Sequence, residues 1–344
     1  MSIWKLFKLN FGKNPVHFGE LGIGIEETNE RVYSDTLFSA WVSAYARLFG
    51  KVAVEGLLRE IQEEPLFRLS STFVYRQLEG QTIYYLPRPL LRPINYPEDD
   101  FKFTKAYKKL NYLPLEIWQR WYQGEEGFTK SDSEELFAKT QGKANGDLQK
   151  AGTFDCGEAF RKAKIPKIAV DRTTRATNLY STGFVKFQES SGLYFLAEFS
   201  HQNVANTFSA VLNFLGEEGL GGERSSGAGQ FKVEVSDLTS TWQQVIDFSG
   251  KSAYSLISLF WENPLPNDCL ENASYELQKR GGWVSSSPSG SQRRRKSVQM
   301  FVEGSVFPVK PQGKLANVTP DGFTNHQIYR SGISLSLPIK ISNE

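Results

Sequence analysis

The sequence predicts an α+β protein of two ferredoxin-like (RNA-recognition-type) units in tandem, carrying insertions. Three observations lead there. Short segments alternate apolar and polar residues, and amphipathic helical patterns lie between them, once near the start and again past residue 180. At 344 residues the chain is longer than one ordinary domain needs. Aromatic residues make up 13% of it, which suits sheets, where flat and β-branched side chains pack well.

Residues 3–11 read as the first strand, with Ile3, Phe7, Leu9 and Phe11 on one face and Lys8 and Asn10 on the other. A turn region holding Pro15, His17, Gly19, Gly22 and Gly24 follows. Ser34-Asp35-Thr36 offers N-caps to a helix in which Leu37, Phe38, Trp41, Val42, Tyr45, Leu48 and Phe49 recur at spacings of three and four. Gly50 is its expected stop. Residues 71–86 read as two strands about a Glu79-Gly80 turn, and prolines 87, 89, 93 and 97 mark a stiff connection after them. Residues 113–164 are read as a surface insertion with short helices, acidic at net −4 between Glu116 and Glu135.

The second unit is expected from residue 181. Phe184, Val185 and Phe187, then Leu193, Tyr194 and Phe195, form two strands around Ser190-Ser191-Gly192. Val204, Phe208, Val211, Leu212 and Leu215 make another helical stripe, followed by a glycine-rich loop over 219–229 and a strand at 231–235. Further strands are expected in 254–261, 298–302 and 333–339. The predicted division is therefore 1–180 and 181–344.

Composition narrows the function. A net charge of +2 rules out a histone-like basic protein. Two cysteines and three histidines make a disulfide framework or a Cys/His zinc site improbable, and no cofactor motif is present. Met1-Ser2-Ile3-Trp4-Lys5 leads straight into strand-like sequence, and no apolar run is long enough for a membrane helix, so the expectation is a cytoplasmic protein with no membrane partner. Charge is nonetheless separated along the chain. Residues 161–186 carry net +6, with Arg172 and Arg175 among threonines, and residues 272–314 carry net +6, with Arg293-Arg294-Arg295-Lys296 in a Ser/Gly-rich loop. Such concentrations fit nucleic-acid binding; a solvated basic loop is the plainer account of 293–296.

The strongest local signal is the loop Gly219, Gly221, Gly222, Gly227 and Gly229, with Arg224, Ser225 and Ser226 inside it. Glycines allow close approach and left-handed backbone, and successive N–H groups can cradle a phosphate that arginine and serine then hold. It is not a nucleotide P-loop, since no Gly-Lys-Ser/Thr follows and it leads into a strand; a connector with tight turns accounts for the same glycines. His17 after the first strand could stack on a base or move a proton, but the sequence offers it no acid–base partner. Ser34 and Asp35 are first of all caps, and the helix start they define also favours phosphate.

These residues resemble a known family. The 219–229 loop resembles the glycine-rich signature of the RAMP superfamily of CRISPR proteins. His17-Phe18-Gly19-Glu20 with Ser34-Asp35-Thr36-Leu37-Phe38-Ser39-Ala40, Asp171-Arg172-Thr173-Thr174 and Gly221–Gly227 are similar to the fourth-subunit family of type III-A Csm effectors. The resemblance spans roughly 1–112 and 165–340, and the 113–164 insertion and the basic loop near 283–296 match nothing in it. It implies a non-catalytic subunit that binds the repeat-derived 5′ tag of the guide RNA. Its partners would be that RNA, the large signalling subunit, the backbone subunits and, indirectly, the target RNA. It also implies a thumb-like β-hairpin near 165–180. The RNA-binding set expected is His17, Gly19, Ser34, Asp35, Arg172, Arg175, Gly219, Gly221, Gly222, Arg224, Ser225, Ser226, Gly227 and Gly229. The competing reading is a repeat-processing, metal-independent endoribonuclease of the same superfamily that uses His17.

Overall fold

A computed structural model describes residues 2–19, 24–284 and 293–341. Glu20 and Gly22 of the N-terminal turn, and residues 285–292 of the basic loop, lie outside them. β1 (Ile3–Asn10) leads to α1 (Ser34–Glu63), which continues past the expected stop but breaks at Gly50, where φ is 79° and ψ is 177°. Only glycine takes that backbone at little cost, so the residue expected to end the helix kinks it instead. β2 (Phe67–Leu69), β3 (Phe73–Leu78) and β4 (Gln81–Pro87) follow. α2 (Thr104–Lys108) and β5 (Tyr112–Pro114) lead into the insertion, which supplies α3 (Leu115–Gln123), α4 (Lys130–Thr140) and α5 (Asp147–Lys150). β6 (Phe160–Val170) and β7 (Thr177–Phe187) form a long hairpin, and β8 (Ser191–Phe199), α6 (Gln202–Glu218) and β9 (Lys232–Ser236) complete this part.

The main sheet is antiparallel, in the order β5-β4-β3-β8-β1-β9, with β2 also paired to β8. Its centre, β3-β8-β1-β9 with α1 and α6 on one face, is the ferredoxin-like arrangement. One expectation changes here. The strand–helix–strand run placed in a second unit at 181 closes the first sheet: Ile3 pairs with Phe199 and Phe7 with Phe195, so β8 sits beside β1. A division at 180/181 cuts through β7 and parts β8 and β9 from the sheet that they complete. The physical reason is pairing, since β1 can satisfy both of its edges only by taking β8 and β9.

The last strand of the main sheet in chain order, β9, ends at Ser236. Beyond it come α7 (Ser240–Ile246), β10 (Ala253–Leu256), β11 (Leu277–Arg280), β12 (Val298–Phe301), β13 (Val306–Phe307), β14 (Leu315–Asn317), β15 (Tyr329–Ser331) and β16 (Ser336–Ile339). They make three small sheets, β13-β10-β16, β11-β12 and β14-β15.

Both faces of the main sheet are buried. Phe7, Leu9 and Phe11 pack on α1 and α6, with Trp41 stacked on Phe208 at 5.0 Å. Leu6, Phe73, Tyr75, Tyr194 and Leu196 face the other way into a second core shared with Trp118 and Trp121 of α3, Trp242 of α7, and Leu337 and Ile339 of β16. The insertion read as a surface feature is thus a packed cover, and Trp118 and Trp121 are fully buried. An RNA-recognition-type sheet would stack bases on this open face. Here the chain's own side chains occupy it.

Candidate nucleic-acid interface

The glycine loop lies against the segment after β1. Gly222 N donates to His17 O at 2.8 Å, and Gly229 N to Pro15 O at 2.9 Å. A Cβ on Gly221, where φ is +99°, would stand 2.4 Å from His17 O. The close approach that these glycines allow is therefore to the chain's own backbone. Most of the expected phosphate nest is committed too, because Gly219, Leu220, Gly222, Ser226, Gly227, Ala228 and Gly229 all donate to internal carbonyls. What the loop presents outward is side chain: Arg224, Ser225 and Ser226 are exposed on a single 3-10 turn. Of the two roles open to these glycines, phosphate cradle and tight-turn connector, the geometry described favours the connector. Gly221→Ala should cost about 1–3 kcal/mol, for strained backbone and collision, while Gly227→Ala, equally left-handed but facing open space, should cost about 1. Urea unfolding of the two variants compares them.

His17 is buried, and its Nδ1 donates to Gly183 O at 2.7 Å, leaving Nε2 as the acceptor in the neutral ring. Its ring packs edge-on to Phe184 of β7, 6.3 Å between centroids, and lies against Gly19 and Gly222. No carboxylate or second histidine hydrogen-bonds it among the described residues. Its geometry joins β7 to the glycine loop.

Ser34 and Asp35 are not caps. The N-cap position is Tyr33, with no side-chain cap bond. Ser34 Oγ accepts from Leu259 N at 3.0 Å, and Asp35, fully buried, binds Arg280 (Nε–Oδ2 2.9 Å, Nη2–Oδ1 3.0 Å) and Arg330. Burial pushes the Asp35 carboxyl pKa up, but the two guanidiniums outweigh it and hold it below the usual carboxylate range. A carboxylate this enclosed cannot meet RNA. It bolts α1 to β11 and β15, and both residues leave the RNA-facing set on that ground.

Arg172 and Arg175 are exposed at the tip of the β6–β7 hairpin. Asp171 builds that tip by accepting from Thr173 N at 2.9 Å and from Thr174 N and Oγ1, and Arg175 sits at φ 59°. Eleven residue pairs at about 3.3 Å each put the tip roughly 35 Å from the hairpin base. The hairpin is tethered along its length: Val16 pairs with Val185 and Lys162 with Glu30 at 2.8 Å near the base, Lys164 with Glu27 at 2.6 Å further out, and Lys167, three pairs below the tip, with Glu223 of the glycine loop. Bonding to Lys167 also holds the Glu223 carboxyl below its ordinary range.

What the fold does assemble is a cleft of about 2270 Å³ between α1, the glycine loop, the 280–284 segment, residues 294–295 and the 325–330 strand region. It is lined by nine basic side chains (Arg31, Arg47, Lys51, Arg59, Arg224, Arg280, Arg294, Arg295 and Arg330) against Glu55 and Glu218. Arg31 is used internally, forked onto Glu303 at 3.0 Å, and Arg280 and Arg330 hold Asp35. Arg47, Arg59, Arg224 and Arg294 stand exposed along the walls. Of the expected set, His17, Gly19, Gly219, Gly221, Gly222 and Arg224 border this cleft, Ser225 borders the shallow hollow beside it, and Ser226 and Gly227 lie on the outer turn. Arg47, Lys51 and Arg59 were not anticipated. Their spacings of four and eight within the α1 segment were the available signal, but the same pattern marks any solvated helix.

Residues 249–339 match the family described as the CRISPR Csm4 C-terminal domain. Over nearly the whole chain the sequence is 25% identical to the CRISPR system protein Csm4 of Methanocaldococcus jannaschii and 27% identical to that of Mycobacterium tuberculosis, covering 94% of each partner in both comparisons. The chain is similar to Csm4 over nearly its whole length. Among solved structures, a chain of a Csm3–Csm4 subcomplex in the type III-A CRISPR-Cas interference complex superposes with a TM-score of 0.63 at 21% identity, over 98% of this chain and 100% of the other. A Csm1–Csm4 cassette in complex with cA4 gives 0.58 at 19% identity over 100% of both chains. Those superpositions establish the Csm4 fold for the described residues, β-rich C-terminal part included.

Proposed function

We propose that this chain is a non-catalytic, RNA-binding subunit of a type III CRISPR effector ribonucleoprotein. It would hold the repeat-derived 5′ tag of the guide RNA and join the large signalling subunit to the backbone subunits. The observation that carries the RNA part is the arginine-lined cleft. Its exposed guanidiniums suit phosphates, and its carboxylates are few. Csm4 in the solved relatives is bound to Csm3 in one structure and Csm1 in another, which supports the two protein partners. The projecting β6–β7 hairpin fits a thumb that reaches the guide–target duplex, with Arg172 and Arg175 at its tip.

The test is reconstitution. Affinity purification of the tagged chain, co-expressed with the other effector subunits and a repeat-spacer array, should retain one class of short RNA bearing the repeat sequence at its 5′ end. Recovery of the protein complex without RNA would overturn the reading. The endoribonuclease alternative makes the opposite forecast: specific cleavage of repeat RNA in metal-free buffer, abolished by His17→Ala. The tethered Nδ1, and the lack among the described residues of an acid or base hydrogen-bonded to the ring, speak for no cleavage.

A further inference from the structure

One aromatic side chain in the cleft is left over from both the fold and the phosphate argument. Trp283 is about half exposed, unlike Trp41, Trp118, Trp121 and Trp242, which are almost wholly buried. A large indole in water gains by being covered, so its position on the wall of a basic cleft asks for an occupant.

The surroundings are built. Trp283 and Arg294 face each other across an antiparallel bridge. Val284 N donates to Arg293 O at 2.8 Å, and Arg295 N to Gly282 O at 2.9 Å. Arg295 Nε also donates to Trp283 O at 2.9 Å, which fixes the backbone beneath the ring. The Arg294 guanidinium lies over the indole, 4.9 Å from its centroid. No other aromatic ring packs on Trp283 among the described residues, so one face carries a cation and the ring still keeps half its surface for a visitor.

We infer that Trp283 is a stacking platform for an unpaired nucleobase of single-stranded RNA lying in the cleft, with Arg294 backing the ring and reaching the adjacent phosphate. The inference rests on the RNA-binding reading above and deepens it from phosphate to base. Every base has a π-face, so the platform sets where a base is splayed out rather than which base it is. The basic run at 293–296 thereby gains a part in the site: Arg293 and Arg295 secure the bridge, and Arg294 serves the ligand.

The closing experiment uses the intrinsic fluorescence of the full-length chain. Because Trp283 is the one strongly exposed tryptophan, stacking should quench part of the emission as a ten-nucleotide single-stranded oligoadenylate is added, and Trp283→Phe should abolish the change. Trp283→Ala should bind roughly five- to a hundred-fold more weakly, with the salt slope unaltered because no charge is removed. Trp283→Phe should recover most of that affinity. If the oligomer binds with the expected salt dependence but emission is unmoved and Trp283→Ala binds like the parent, the stacking platform is wrong and the RNA reading stands. If the parent chain shows no salt-dependent binding at all, the RNA reading itself fails. Circular dichroism of both variants keeps a folding defect from passing as loss of binding.

Discussion

Asp35→Ala should cost about 3–5 kcal/mol, the largest stability loss of any single substitution at the helix start. The aspartate has no exposed surface and lies between Arg280 and Arg330, which reach it from β11 and β15. Removing it takes from two buried guanidiniums the carboxylate that they share. Arg280 also meets Thr36 Oγ1 at 3.0 Å and the Tyr33 ring at 4.5 Å, and Arg330 meets Gly281 O, contacts that carry no countercharge themselves. Urea denaturation followed by circular dichroism gives the number, and a loss under about 1 kcal/mol would contradict the account. Replacing all three together, Asp35→Leu with Arg280→Met and Arg330→Met, should recover much of the stability, since the penalty comes from unpaired charge and not from lost volume. The pH dependence has a defined sign. Because the folded carboxyl sits below its unfolded value, the unfolded state binds more protons in acid. The contribution is complete above the unfolded pKa of about 3.9 and disappears as pH falls below it through the folded value. Asp35→Asn should flatten that acid limb.

The second large effect concerns RNA. Arg47→Ala/Arg59→Ala/Arg224→Ala should weaken binding of single-stranded RNA by roughly a hundred-fold at moderate salt, at about 1 kcal/mol for each lost phosphate contact. It should also make the plot of log affinity against log salt shallower by about 2, at roughly 0.7 for each contact on a single strand. Anisotropy titrations across a salt series measure both. Arg47 must exchange Glu218 for phosphate, so its share should be smaller than that of Arg59 or Arg224. Arg172→Ala/Arg175→Ala at the hairpin tip should add its effect independently, because neither arginine lines the cleft. An unchanged slope in the triple variant would remove the cleft from consideration as the RNA path.

Local pattern was readable where it reflected local causes. The stripe from Leu37 to Phe49, the Glu79-Gly80 turn with both residues at positive φ, and the strands at 231–235 and 298–302 all stand within a residue or two of their expected places. Periodicity and turn chemistry operate over a few residues, so they survive into the fold. The hairpin strand β6 was not visible that way, because both of its faces meet solvent along most of its length and no alternation was needed. Its tip, however, was marked by Asp171-Arg172-Thr173-Thr174.

The sequence alone determined that this chain is an α+β protein related to the Csm effector subunits, with a glycine loop between a helix and a strand and with its basic residues concentrated in two stretches. Only the tertiary structure decided the roles. Asp35 looks like a cap because serine and aspartate at a helix start usually are; it became an ion-pair hub because arginines some 245 and 295 residues away fold onto it. The glycines became scaffold because Pro15–His17 lies against them, and the cleft cations came from α1 as much as from the basic runs. The physical reason is the same throughout. Hydrogen bonding and charge act at a few ångströms in space, and distance in sequence says nothing about which groups will share those few ångströms.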